Sequence, residues 1–318
     1  MIALSKPRNT SGEWRSMTGS LKIGLVISGR DIMSTVETII RSIRKGVEGL
    51  GKDGAVVGVS GGVDSAVVLH LCQQALGKDR VLAVIMPEYD SDPDSLRLAK
   101  QISSETACQV IPIGPILKRM GVYDYFKIVP FQTHVPYRVK SNYVQRMFKD
   151  LDDDVYLKFL KNNLPERLKS SVAYFRSKNR IRMAILFQKA EEINYAVVGT
   201  INRTEHLLGF FVPFGDGAAD IMPIVGLYKT EVRRLAEDIG IPREIIMRPP
   251  SPDLIPGLTD EMILGMSYDE IDQILRSMAN GNDLKDEGGD RLKYIKEILK
   301  VAERARSLLT PQPKELLE

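Results

Sequence analysis

Cysteine is nearly absent from this chain, with two in 318 residues, beside three histidines and one tryptophan. So low a count excludes a disulfide-stapled scaffold and fits a reducing compartment. There is no Cys-x-x-Cys pair, and His70, His134 and His206 are too scattered to build a metal site by themselves. An excess of one charge is also missing. Lys and Arg number 44 against 41 Asp and Glu, a net +3, so charge implies no nucleic-acid partner. No window approaches the roughly 20 continuous apolar residues of a membrane span. Residues 1–30 carry Lys6, Arg8, Glu13 and Arg15 among Ser, Thr and Gly, without the apolar stretch of a signal peptide. The expectation is a cytoplasmic protein with a flexible tail over 1–30. Cys72 and Cys108 both read as small core residues.

What is present is more specific. Val56, Val57 and Val59 lead into Ser60-Gly61-Gly62-Val63-Asp64-Ser65, followed by an apolar segment at helical spacing. That order spells a buried strand, a tight turn and a helix start. Such a turn aims unpaired N–H groups at the positive end of a helix, and Ser60 and Ser65 add hydroxyl donors. It suits an anion, and a phosphate above all. No Gly-Lys-Ser/Thr closes it, so it is not the common P-loop. Asp64 stands inside it instead. An acid beside phosphates needs a cation between them, which points to magnesium triphosphate. The plainer reading is an ordinary strand–helix turn, which Gly and Ser also favour.

Apolar spacing predicts helices at 31–49, 64–76, 92–107, 177–193 and about 290–307, and strands at 55–60, 81–86, 109–113 and 195–200. Strands alternating with helices give an α/β fold: a doubly wound, mostly parallel sheet with helices on both faces. Ligands on such sheets sit at the carboxyl ends of the strands, where Ser60, Pro87 and Thr200 should meet. Residues 31–275 form the main domain. Segment 114–176, which holds eleven of the 21 aromatic residues, reads as a helical insert. It is either a hairpin with its own small core or a lid or dimer surface. Residues 276–318 read as a C-terminal helical tail. The run Asp150, Asp152, Asp153 and Asp154 reads as a solvated helix start.

A second constellation fills 199–232: Gly199-Thr200, Glu205, Gly209-Phe210-Phe211, Phe214-Gly215-Asp216-Gly217, Asp220, Pro223 and Leu227-Tyr228-Lys229-Thr230-Glu231-Val232. A third block reads Pro249-Pro250-Ser251-Pro252-Asp253-Leu254, then Thr259-Asp260-Glu261 and Ser267-Tyr268-Asp269-Glu270. The turn at Ser60–Ser65 resembles the pyrophosphatase loop of the N-type ATP pyrophosphatases, which cleave ATP between its α and β phosphates. With the later blocks in the same order, the chain resembles the ammonia-dependent NAD synthetase branch of that superfamily. The resemblance covers roughly 35–115 and 176–275.

The resemblance implies an adenine nucleotide alpha hydrolase-like fold and ATP-dependent amidation of nicotinic acid adenine dinucleotide by ammonia. It places Ser60, Gly61, Gly62, Val63, Asp64, Ser65, Thr200, Lys229 and Ser251 on ATP. Asp64 and Glu205 would hold Mg²⁺, a hard ion suited to carboxylates. Arg180, Arg182, Asp216 and Asp220 would face the carboxylate substrate, and Asp64, Asp216 and Lys229 would be catalytic. A homodimer is also implied. Taken singly, each has a plainer reading: Asp216 a turn residue, Glu205 a helix N-terminal charge, Lys229 a surface lysine.

The pattern departs in three places. The family's Gly-Asn-x-x-Ala-Arg-x-Arg-Met becomes Phe175-Arg176-Ser177-Lys178-Asn179-Arg180-Ile181-Arg182-Met183, so Arg176 stands where the family carries an Asn toward the pyridine nucleotide. Ile263 replaces an acid, and segment 114–176 is long. An ammonia-dependent amide ligase acting on a different carboxylate is therefore the competing expectation. No fused amidase is expected before the first synthetase helix, and neither Cys fits a glutamine-hydrolysing role, so free ammonia is the expected nitrogen source.

Overall fold

Small and β-branched residues from Gly54 to Val57 are buried on both faces of strand β1 (Gly54–Gly58). Such a run is stable only at the centre of a sheet covered on both sides. The computed structural model describes residues 31–125, 135–149, 154–281 and 289–309. The expected tail at 1–30, Phe126, Phe131, Asp150, Asp152, Asp153 and the prolines at 311 and 313 lie outside them.

In chain order, α1 (Asp31–Gly49), β1, α2 (Val63–Leu76), β2 (Val81–Ile85), α3 (Pro93–Ile102) and β3 (Ala107–Val110) come first. Next are α4 (Gly114–Arg119), α5 (Tyr137–Lys149), α6 (Val155–Leu160), α7 (Glu166–Glu192) and β4 (Tyr195–Val198). Then follow α8 (Arg203–Leu208), α9 (Lys229–Asp238), α10 (Arg243–Ile246), α11 (Asp260–Leu264), α12 (Tyr268–Ala279) and α13 (Gly289–Arg306).

The four strands run in the order β3-β2-β1-β4, all parallel. Two crossovers step from β1 toward β3, and the third returns past β1 to β4. Right-handed crossovers then put α2 and α3 on one face and α7 on the other. In accord with this, α2 packs on β1 and β2, and α7 on β1 and β4. The direction reverses between β1 and β4, which opens the crevice where ligands bind. Helix α2 buries residues all round, including Val67, Val68, Leu69 and Leu71, because it lies between the sheet and helices α1 and α9. Each such aliphatic side chain contributes roughly 1.5–3 kcal/mol.

Some expectations shift. The helix expected at 92–107 ends at Ile102, and Asp92 caps it, its Oδ1 accepting from Asp94 N. The strand expected at 109–113 is β3, displaced to Ala107–Val110. It is an edge strand with all four residues exposed, so Cys108 is exposed and is not a core residue. Cys72 is buried, and burial pushes its thiol up to about 12.

Helix α7 starts at Glu166, eleven residues before the expected boundary, and spans about 40 Å. The aromatic-rich segment forms no separate core among the described residues. Val144 and Tyr174 join the sheet's core. Tyr156 and Leu157 join a second cluster with Leu208, Tyr228, Tyr268 and Ile298. That cluster also fixes α13 against α6 and α8. Buried charges fasten the segment to the loop after β2: Lys140 Nζ lies 2.6 Å from Asp90 Oδ1, and Lys178 Nζ 2.7 Å from Glu88 Oε1. Asp154, the described member of the acidic run, is the N-cap residue of α6 and pairs with Lys158.

Candidate active site

The turn after β1 is held by its own serines. Ser65 Oγ donates to Gly62 O at 3.0 Å and accepts from Ser60 N at 3.2 Å, while Gly62 N donates to Ser60 Oγ at 3.3 Å. Gly62 caps α2 without a side chain, so the first-turn N–H groups stay directed at the space ahead of the helix. Gly61 has φ +85°, and a Cβ there would stand 2.3 Å from Ser95 O. Only glycine lets the turn pass this close to α3.

Ahead of the turn is a cavity of about 270 Å³, at the carboxyl ends of β1, β2 and β4. Ser60, Pro87 and Thr200 all line it, as strand ends on one sheet edge must. So do Gly62, Val63, Asp64, Ser65, Arg182, Glu205, Asp216, Lys229 and Ser251. Three of the expected site residues lie off its wall. Gly61 is turned against α3. Asp220 accepts from Val197 N at 2.8 Å and so satisfies the open edge of β4. Arg180 is exposed and donates from Nε to Pro213 O at 3.2 Å.

The charges converge on Lys229, the first residue of α9. It is buried, with Nζ 2.5 Å from Asp64 Oδ2 and 3.6 Å from Glu205 Oε1. Burial works to lower its pKa, but Asp64 and Glu205 outweigh burial and shift it up. Glu205 moves up as well, because desolvation outweighs the attraction of Lys229. Asn202 fixes both carboxylates and was not foreseen. Its Nδ2 donates to Asp64 Oδ1 at 3.0 Å, and its Oδ1 accepts from Glu205 N at 3.0 Å. Glu205 Oε2 accepts in turn from Asn202 N, closing a capping box on α8. The Asn-x-x-Glu spacing was the available signal.

Asp260 is a second residue the sequence reading left without a role. It is buried on the cavity wall, and its Oδ2 accepts from Tyr268 Oη at 2.9 Å. Burial pushes its carboxyl up to about 6. Among the described residues no three Asp, Glu, His or Cys side chains converge on one point. Asp64 and Glu205 nonetheless present hard oxygens beside the serine–glycine turn. Two carboxylates fit Mg²⁺ when phosphate oxygens and water complete its shell.

Asp216 also lines this cavity. Its Oδ1 accepts from Val212 N at 2.7 Å, and its N donates to Asn179 Oδ1 at 3.1 Å. Desolvation pushes its carboxyl up to about 6. Asp216 and Asn179 also line a neighbouring apolar cavity of about 150 Å³, walled by Phe148, Tyr156, Phe159 and Phe175. Asp216 thus stands where a charged chamber meets an aromatic one.

The NAD synthase family model matches residues 35–132 and 140–307. The chain is 47% identical over 272 residues to an NH(3)-dependent NAD(+) synthetase of Thermotoga maritima, covering 85% of this chain and 96% of that protein. It is 34% identical over 288 residues to a protein of the same description from Methanocaldococcus jannaschii, covering 88% and 96%. Among solved structures, an NH3-dependent NAD synthetase from Campylobacter jejuni superposes with TM-score 0.56 at 25% identity, over 86% of this chain and 96% of that one. An NMN synthetase from Francisella tularensis shares the fold, with TM-score 0.64 at 24% identity, over 88% and 98%. On the matched length and these identities, the chain belongs to the NAD synthase family.

Proposed function

We propose that the protein amidates nicotinic acid adenine dinucleotide to NAD with ammonia and ATP, releasing AMP and pyrophosphate. The observation that carries this reading is one cavity joining the serine–glycine turn, the Asp64–Lys229–Glu205 cluster and the half-buried chemistry of Asp216. In the first step the substrate carboxylate attacks the α-phosphorus and pyrophosphate leaves, so negative charge grows on the β,γ side. The N–H groups of the turn and the Lys229 ammonium meet that charge without reorganising. Ser60, Ser65, Thr200 and Ser251 add hydroxyls around the nucleotide. Asp64 and Glu205 would hold Mg²⁺, which would supply charge neutralisation at the phosphate oxygens. Asn202 keeps both carboxylates aimed.

In the second step ammonia attacks the acyl carbon of the adenylate, the C–O bond to AMP breaks, and nitrogen sheds protons. Asp216 holds the incoming ammonium and accepts a proton. Its environment suits that role, because a carboxyl with pKa about 6 is ionised at neutral pH yet basic enough to take a proton. Arg182 reaches the cavity from α7 and faces the substrate. Residues 31–275 form the synthetase unit, which works as a homodimer in the cytoplasm. Among the described residues no helix is long and apolar enough to cross a membrane.

The test is a coupled assay with purified protein, Mg-ATP, ammonium chloride and the dinucleotide, following NAD and AMP together. Equal amounts of both are expected. Adenylation without NAD, restored by another carboxylate, would move the reading to a different amide ligase of this fold.

A further inference from the structure

Two loops wall the main cavity without belonging to any helix or strand: residues 86–92, between β2 and α3, and residues 247–259, between α10 and α11. The first contributes Met86, Pro87 and Ser91, the second Pro249 to Leu254. With no backbone ladder to fix them, their positions depend on side-chain bonds. Those bonds converge on Lys178, near the middle of α7. Its Nζ donates to Glu88 Oε1 at 2.7 Å, to Asp90 Oδ2 at 3.1 Å and to Leu254 O at 2.9 Å. An ammonium has three N–H donors. Two are spent on the first loop and one on the second.

Helix α7 gives the loops a fixed reference, because it packs on β1 and β4. Tyr174 and Arg182 stand one turn before and one turn after Lys178 on the same face. Tyr174 Oη donates to Asp90 Oδ2, and Arg182 Nε donates to Met86 O at 3.4 Å. Lys140 adds a second buried cation, so two lysines balance Glu88 and Asp90. Burial works to raise the Asp90 pKa, but Lys178, Lys140 and Tyr174 outweigh it and hold the carboxyl below its ordinary value. A second tie joins the loops directly, with Asp92 N donating to Asp253 Oδ1 at 3.2 Å. Asp253 itself sits at φ 49°, a conformation that persists only where the surroundings hold it. A buried ion pair gains little stability over apolar residues of the same volume. What this one supplies is geometry.

We propose that Lys178 is a positioning residue for ATP: by binding Glu88, Asp90 and the Leu254 carbonyl at once, it sets the spacing of the two loops that wall the nucleotide cavity. It does not touch ATP, since all three of its donors are spent within the protein. The assignment rests on the reading of the main cavity as the ATP site.

The test uses the charge-balanced double variant Lys178→Met/Glu88→Gln, because Lys178→Met alone strands a buried carboxylate. The new amide oxygen can still accept from Tyr123 Oη and Asp90 N, which now bond Glu88 Oε2 at 2.7 and 2.9 Å. Calorimetry with Mg-ATP and steady-state kinetics are run on wild type and variant. Affinity and KM for ATP should weaken roughly 10- to 100-fold. At saturating ATP, kcat should stay within about fivefold and the KM for dinucleotide within about twofold. Amide hydrogen exchange should quicken over residues 249–258 and not in β1 or α2. Unchanged ATP affinity overturns the proposal. So does an equal fall in kcat and in both affinities, the mark of a general loosening. Should the double variant fail to fold, Lys178→Gln, which retains two N–H donors, should weaken ATP by roughly 3- to 10-fold, and no weakening there overturns the proposal equally. A wild type that binds Mg-ATP without making NAD sinks the amidation reading while the variants still decide this assignment; a wild type that fails to bind Mg-ATP sinks both.

Discussion

Lys229 Nζ lies 2.5 Å from Asp64 Oδ2, and this contact joins the first turn of α9 to the first turn of α2 across 165 residues of sequence. The same ammonium lies 3.6 Å from Glu205. One buried cation therefore holds together two acids that would otherwise repel.

Removing that cation should show in stability and chemistry alike. Lys229→Met leaves Asp64 and Glu205 facing each other without a counter-charge, at a cost of roughly 3 kcal/mol. Denaturant unfolding at pH 8 measures it. ATP–pyrophosphate exchange, which reads the adenylation step alone, should fall at least about 100-fold through loss of transition-state charge compensation. Retention of a tenth of the exchange would refute the role of Lys229 on the leaving pyrophosphate.

Asp216→Asn should separate stability from function. The folded pKa, about 6, lies above the ordinary 3.8 because of burial. Between these values the folded state binds more protons than the unfolded state, so this group's contribution to stability falls as pH rises from about 4 to about 6. Above that window the ionised carboxylate is a constant penalty. Asn removes it, so the variant should be more stable than wild type at pH 8 by about 1–3 kcal/mol, and equal to it near pH 4. Amide formation should drop while ATP–pyrophosphate exchange persists. An equal loss of both activities would take Asp216 out of the ammonia step.

The parts of this site that the sequence displays are those whose chemistry is local. Ser60–Ser65 announces itself because a glycine pair, two hydroxyls and an acid follow a buried strand directly. Glu205 was legible as a helix N-terminal charge and does lie in the first turn of α8. Lys229, which alone reads as a surface lysine, is buried at the start of α9. What was not legible depends on distant partners. Lys140 and Lys178 look like helix-surface charges until Asp90 and Glu88 arrive from 50 and 90 residues away. Asp220 belongs to the family pattern, but its oxygen is spent on Val197 N. Cys108 reads as core from its apolar neighbours, and only the sheet order makes β3 an exposed edge. The early start of α7 was hidden because the helix meets different surfaces along its length and shows no single apolar stripe.

The pH dependence of turnover follows from the same carboxyl. Amide formation at a fixed free-ammonia concentration should rise as pH increases through about 6, where Asp216 ionises. Asp260 also ionises near 6, on the same cavity wall as Lys229. Comparing two rates distinguishes the groups. In Asp216→Asn the residual amide formation should lose its acid limb, whereas ATP–pyrophosphate exchange should keep its own. An undiminished limb in the variant would assign the titration elsewhere.

Gly61→Ala puts the geometry of the turn to the test. Two costs act together: φ of +85° is unfavourable for any Cβ, and the Cβ would stand 2.3 Å from the Ser95 backbone oxygen, which is not a movable side-chain end. Gly240, at the end of α9, has φ +76° with nothing within 4 Å of its would-be Cβ. Gly240→Ala therefore carries the backbone cost alone, about 1 kcal/mol, and should leave the KM for ATP unaltered. Gly61→Ala should cost about 2–4 kcal/mol and raise the KM for ATP more than about tenfold, because the turn must withdraw from α3 and carry its N–H groups out of line. If the two variants behave alike, the close approach to Ser95 does not shape the phosphate site, and the turn owes its function to glycine's backbone freedom only.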